Sequence, residues 1–287
     1  MTGPLLIVNA DDFGLTSGVC QAILRAGECG IVTSTSALAN GPALSAAAAA
    51  LRDSGLGVGA HLALVGHQGP VLAAQEVPTL VDRRGGLAPG WRPFLTRCAL
   101  GRVDMGDVRR EFTAQVETLR SNGLTLTHLD THQNLHLWPS IGRVAVEIAR
   151  TSDVPAIRVT RSRGLTPIAL GVRSLSARLE SRARKANVQF PEATAGFDEA
   201  GRLDLDRLSS AVENFAALGA SSAELVCHPG HESDHELGAL GWDYRGQAEL
   251  DALESKEARA TVERAGFRLG TFADLATARP VKRETRR

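Results

Sequence analysis

The chain has no net charge: 32 lysines and arginines balance 32 aspartates and glutamates over 287 residues. No global field therefore draws it to nucleic acid or to a membrane. No apolar run approaches the roughly 18 residues that a bilayer span needs. The N-terminus lacks a basic n-region, and Leu5 to Ala10 is too short for a signal h-region and is cut off by Asp11. The four cysteines (Cys20, Cys29, Cys98, Cys227) form no CxxC pair, which fits a reducing compartment, and a cytoplasmic protein is expected. There is no P-loop, no GxGxxG and no GxSxG, which removes the phosphate cradle, the dinucleotide fingerprint and the serine elbow. No repeat of fixed period appears. With 43% hydrophobic and 22% charged residues the chain is too apolar for disorder. Charge is uneven only locally: Arg158 to Lys185 is rich in arginine, read as a solvated helix face, and residues 278–287 form a basic tail expected to be disordered.

What the chain does have is organised around Leu5-Leu6-Ile7-Val8-Asn9-Ala10-Asp11-Asp12-Phe13-Gly14. A short apolar run bounded by turn signals reads as a buried strand. Two carboxylates at its end are costly unless a cation meets them. Adjacent strand residues point to opposite faces, so Asp11 and Asp12 share a site only if the chain turns there. One is expected to hold a metal and the other a proton; spacing alone does not say which.

Strand and helix patterns then alternate. Strands are expected at Ile31–Leu38, Leu56–Leu64, Leu124–Asp130, Ala156–Val159, Ala223–Cys227 and Phe267–Leu269. Helices are expected between them, with stripes such as Val108, Phe112, Val116, Leu119 and a basic one at Val172, Leu175, Leu179. Val188–Phe197 is ambiguous. Residues 65–106, studded with glycine and proline, read as a long loop excursion that forms a lid or a wall of a substrate groove. About seven strands alternating with helices in one domain, residues 1–277, suit an α/β fold. Asp11/Asp12, His61, Asp130/His132 and His228 each end a different expected strand, where (β/α) barrels place their active sites. The expected fold is therefore a deformed or incomplete (β/α) barrel.

The densest cluster is Thr127-His128-Leu129-Asp130-Thr131-His132-Gln133-Asn134-Leu135-His136. His128, Asp130 and His132 share a face on a strand, whereas His132 and His136 share one only on a helix. Burying three histidines and an aspartate together without a task is costly. His67, His231 and His235 read as exposed loop residues, and Trp138 and Trp242 as packing or sugar-stacking aromatics. Arg158 reads as a sugar-hydroxyl contact or a surface ion pair, and Asp130 as a carboxylate that orients a histidine or simply caps a turn.

Asn9-Ala10-Asp11-Asp12-Phe13-Gly14, Gly59-Ala60-His61-Leu62, Asp130-Thr131-His132-Gln133 with His136, and Cys227-His228-Pro229-Gly230 resemble, in order, the motifs of the YdjC-like (ChbG) carbohydrate deacetylase family. The loop after His61 also resembles its hopanoid-associated HpnK branch. The resemblance implies a deacetylase-type barrel with one divalent metal held by Asp12, His61 and His132. It also implies Asp11 as catalytic base, an N-acetylated sugar or glycoconjugate as substrate, and a possible homodimer. Family structures carry Mg²⁺, whereas one carboxylate and two imidazoles favour Zn²⁺ and accept Mn²⁺ or Co²⁺. His228 is the expected general acid, with Asp130, His136 and Arg158 as supporting or substrate-contacting residues. Asn134 stands where many members carry histidine. Metal-dependent phosphoester hydrolysis and non-catalytic glycan binding are the competing readings.

Overall fold

The computed structural model describes residues 3–277; the basic tail lies outside the described residues. The elements begin β1 (Leu5–Phe13), α1 (Ser17–Cys29), β2 (Ser34–Ala37), α2 (Leu44–Asp53), β3 (Gly57–Leu62), α3 (Trp91–Ala99) and α4 (Met105–Ser121). They continue β4 (Leu126–Thr131), a 3-10 turn (His132–Leu137), α5 (Pro139–Thr151), β5 (Ala156–Ile157), α6 (Pro167–Lys185) and β6 (Ala193–Ala195). The last are α7 (Leu205–Leu218), β7 (Ser222–Cys227), α8 (His235–Ala239), α9 (Gly246–Glu254), α10 (Lys256–Arg264), β8 (Arg268–Leu269) and a 3-10 turn (Phe272–Thr277).

The strands form one parallel sheet in the order β5-β4-β3-β2-β1-β7-β6, with β8 added beside β1. This is the incomplete (β/α) barrel anticipated above. Its path is open between β5 and β6, and the segment before β6 partly spans the gap. There the Ile157 N–H donates to the Gln189 carbonyl (2.8 Å) and the Gln189 N–H to that of Pro155 (2.9 Å). The ambiguous stretch around residue 190 thus supplies β6.

Every residue of β1 is buried, as a strand covered on both faces requires. Leu6, Val8 and Ala10 join the main helix-facing core, while Leu5 and Ile7 pack with Ala156 and Phe272 in a separate cluster. By strand alternation Asn9 and Asp11 continue the face of Leu5 and Ile7. The barrel interior therefore runs from apolar at its closed floor to carboxylate at its C-terminal mouth.

The excursion over residues 65–106 contains α3 and two isolated bridges, Val65–Ala88 and Val81–Leu87. Several of its main-chain N–H groups are held by side chains of α4, since it has no strand ladder of its own. Glu111 accepts from the Val71 and Leu72 N–H groups (2.7 and 3.1 Å), and Asp107 accepts from Thr79 N–H (2.8 Å). Gln115 exchanges two bonds with Ala63. One further bond, Trp91 N–H to Gln133 Oε1 (2.7 Å), ties the excursion to the loop after β4.

Candidate active site

The turn that lets both aspartates share a site occurs at Asp12, whose φ of 68° lies in the left-handed region. Aspartate tolerates this conformation better than most residues. The β1–β2 register slips between Ala10 and Phe13, and the Leu15 N–H closes the turn onto the Asp12 carbonyl (3.0 Å). Both carboxylates consequently reach the barrel mouth, but they meet different partners.

Asp12 joins His61 from the end of β3 and His132 from just beyond β4. Asp12 Oδ1 lies 3.1 Å from His132 Nδ1 and 3.3 Å from His61 Nε2, and the two nitrogens are 3.3 Å apart. All three residues are buried. Burial pushes the Asp12 carboxyl up, but the charges and hydrogen bonds of His132 and His61 outweigh it and hold it well below the usual range. Burial pushes His61 down, yet Asp130, Asp11 and Asp12 together hold it well above the ordinary imidazole value. The His61 Nδ1 sits 2.7 Å from Asp130 Oδ1, which aims Nε2 at Asp12. Three donors of this kind around one ion at about 2.1 Å would stand roughly 3.0–3.4 Å apart. The observed triangle fits a divalent metal in both spacing and chemistry.

Asp11 faces a different cation. Arg158, from the end of β5, donates Nη1–H to Asp11 Oδ2 and Nη2–H to Asp11 Oδ1, both at 2.7 Å. The same guanidinium reaches Asp130 Oδ2 and Glu224 Oε1, each at 2.7 Å. Asn9 donates to Asp11 Oδ1 (2.9 Å), and Ser36 donates to Asp130 Oδ2 (2.8 Å). Arg158 is 1% exposed, so it is neither the sugar contact nor the surface ion pair read from the sequence. Desolvation opposes its charge, but Asp11, Asp130 and Glu224 override it and keep the guanidinium protonated. Desolvation likewise raises Asp130, and Arg158 with His61 pulls it far below the carboxylate range. For Glu224 desolvation wins over Arg158, and its carboxyl is pushed up to about 7.

His228 follows β7, and its Nε2 lies 3.9 Å from Asp11 Oδ2. Its main-chain N–H is held by Glu249 Oε2 (2.6 Å), and its Nδ1 is buried without a hydrogen bond. Asp11, Asp12, His61, His132 and His228 line one cavity of about 450 Å³, together with Trp91, Gln133, Asn134, Thr160, Trp242 and Tyr244. Trp242 stacks at 5.7 Å over His132, and Tyr244 packs edge-on at 5.1 Å against His228.

His136 is not among the cavity residues. The turn after β4 breaks helical spacing with Gln133 and Asn134 both left-handed (φ 53° and 55°), so His132 and His136 part company. His136 is instead buried on Thr131, with Nδ1 to Oγ1 at 2.7 Å, and burial pushes it down to about 3. His128 likewise points into the barrel, stacked on Phe272, and burial lowers it to about 3. Trp138 packs on the core; His67 and His235 are exposed and His231 is half-buried. Asn134 accepts a bond from the Thr160 hydroxyl at the cavity wall.

Sequence reasoning gave no role to Asn9 and Gln133, although both stand in the motifs above, and passed over Thr160, Glu224 and Glu249. Of these only Glu224 carried a clear signal, a lone carboxylate inside the apolar run Ala223–Cys227.

The family model described as YdjC-like protein matches residues 5–264. A chitooligosaccharide deacetylase of Serratia marcescens is 31% identical over 281 residues, covering 94% of this chain and 99% of that protein. A carbohydrate deacetylase of Mus musculus is 30% identical over 298 residues, covering 96% of each chain. Among solved structures, a putative cellobiose-phosphate cleavage protein of Enterococcus faecalis V583 superposes with a TM-score of 0.82 at 27% identity. That match covers 96% of this chain and 99% of that one. Motifs, barrel and site geometry converge with these likenesses: the chain belongs to the YdjC-like carbohydrate deacetylase family.

Proposed function

We propose that this protein is a metal-dependent N-deacetylase of an amino sugar, oligosaccharide or glycoconjugate. The observation that carries the reading is the pairing of a three-donor triangle with an arginine-held carboxylate at the mouth of one cavity. Asp12, His61 and His132 would hold the ion, with zinc favoured by the two imidazoles and magnesium, manganese or cobalt also accommodated. When bound, the ion supplies Lewis acidity to the acetyl oxygen and to water. Asp11 takes the proton of the attacking water as general base. Arg158 and Asn9 hold that carboxylate in place. His228, on the cavity wall beside Asp11, protonates the departing amine, which otherwise leaves poorly. Trp242, Tyr244 and Trp91 offer apolar faces to a sugar ring.

The cavity lining includes no lysine or arginine among the described residues, so a phosphoester would find no guanidinium or ammonium group there. Glycan binding alone gives no reason for an Asp11 held so tightly beside His228. Four free cysteines and the absence, among the described residues, of any helix able to cross a membrane support a cytoplasmic enzyme.

The test is acetate release from a panel of N-acetylated mono- and oligosaccharides, before and after chelation and with Zn²⁺, Mg²⁺, Mn²⁺ or Co²⁺ restored. Metal-dependent acetate release is expected. Phosphate release from esters with no acetate would transfer the assignment to the phosphoester reading.

A further inference from the structure

Glu224 is a fully buried ionisable group that the reaction above leaves without a task. It sits on β7 between its neighbours, with Cα partners Ile7 on β1 and Thr194 on β6, and has no solvent exposure. Its carboxyl makes one contact: Oε1 accepts the Arg158 Nε–H at 2.7 Å, while Oε2 has no hydrogen-bond partner. Burying a carboxyl for a single hydrogen bond is a poor source of stability, since desolvation costs at least as much as one bond returns.

The geometry at Arg158 shows what the contact does. The Nη1 and Nη2 groups grip both oxygens of Asp11, and Nη1 also meets Asp130. Without a partner on the Nε edge, the planar guanidinium is free to slide or rotate so that two of its groups face Asp130, whose Oδ2 already competes for Nη1. Occupying Nε leaves the end-on fork as the face available to Asp11.

We infer that Glu224 is a positioning residue that sets the plane of Arg158 and, through it, the placement of the Asp11 carboxylate. The inference rests on the deacetylase reading only for the identity of the reaction that Asp11 serves. What Arg158 Nε requires is an acceptor, not a third negative charge beside Asp11 and Asp130. The charges that bear on Glu224 are Arg158, Asp130 and Asp11. A neutral carboxamide supplies the same oxygen.

The experiment compares the wild type with Glu224→Gln and Glu224→Ala in acetate release, with a crystal structure of the Ala variant. Glu224→Gln is expected to keep kcat within about threefold. Glu224→Ala is expected to lower kcat at least tenfold with KM within twofold, and its structure to show the Arg158 fork turned off Asp11. If Glu224→Ala is insoluble, Glu224→Met fills the same volume without an acceptor and carries the same expectation. Wild-type kcat in the Ala or Met variant, an Arg158 fork still paired end-on with Asp11, or a Gln variant as impaired as Ala would each overturn the inference. If the wild type releases no acetate from any substrate, the deacetylase reading fails, and the position of the Arg158 fork still decides the role of Glu224.

Discussion

The barrel mouth holds two carboxylate centres within one cavity, and they are built on opposite principles. Around Asp12 the donors converge on one another: a carboxylate oxygen and two imidazole nitrogens stand 3.1–3.3 Å apart at the cavity wall. Around Asp11 the charge is already answered, by a buried guanidinium that also binds Asp130 and Glu224. The first arrangement could hold a cation, and the second is already paired with one. Consecutive residues thus acquire different chemistry because one strand residue faces into the barrel and the next is thrown out of register by a left-handed φ.

Asp130 joins the two centres, since one oxygen orients His61 and the other accepts from Arg158. Asp130→Asn is the sharpest way to disturb both at once. We expect metal affinity to fall about 10–100-fold, the usual cost of losing a carboxylate behind a ligating histidine. Isothermal titration with Zn²⁺ measures it, and an unchanged affinity would detach Asp130 from the metal centre.

The centres also differ in how pH treats them when no metal is bound. His61 is held above its ordinary value, so its contribution is complete below about pH 6.5 and is lost as pH rises through its folded value. Glu224, raised to about 7 from 4.5, contributes in the same direction, fully below its unfolded value and progressively less up to neutrality. Asp12, held low, contributes above about pH 4 and loses that contribution in acid. His128 and His136, pushed down to about 3 by burial, contribute fully above about pH 6.5 and lose that contribution in acid, so metal-free protein should be most stable near pH 6.5 and lose melting temperature as pH rises through neutrality. Added metal, which needs deprotonated imidazoles, should stabilise increasingly over the same range. A metal-free melting temperature that climbs from pH 6 to 8 would contradict this picture.

A smaller effect is expected at the wall. Trp91 comes to the cavity from the excursion on a single bond to Gln133, next to the metal-side His132. Trp91→Ala should raise KM for an oligosaccharide about three- to tenfold and leave kcat nearly unchanged, because stacking there holds substrate rather than the reacting atoms. Steady-state kinetics on a chitooligosaccharide checks this, and a loss confined to kcat would place Trp91 in the chemistry instead.

The barrel was legible because β1, β3, β4 and β7 are largely apolar stretches leading into polar clusters at or just past their C-terminal ends, a pattern that survives in the sequence whatever the loops do. Asp12, His61 and His132 each lie at or just past the end of a strand, but singling out Asp12 rather than Asp11 as the ligand rested on the family motifs, because strand position alone does not separate the two. Arg158 was misread because a guanidinium after a short strand looks the same in sequence whether it faces water or three carboxylates from β1, β4 and β7. His136 was drawn toward the site by its spacing to His132, and two left-handed residues that no composition signal announces separate them. The excursion hid its helix α3 among glycines and prolines, and the α4 carboxylates that hold its earlier turns at Val71, Leu72 and Thr79 are distant in sequence.

The central claim is that Asp12 holds the metal and Asp11 handles the proton. Metal content and acetate release measured together in Asp11→Asn and Asp12→Asn test it most directly. The account predicts that Asp11→Asn keeps one metal per chain and loses about 100-fold or more in kcat, whereas Asp12→Asn loses the metal and the activity with it. An Asp11→Asn variant that sheds its metal, or an Asp12→Asn variant that retains it, would contradict the division.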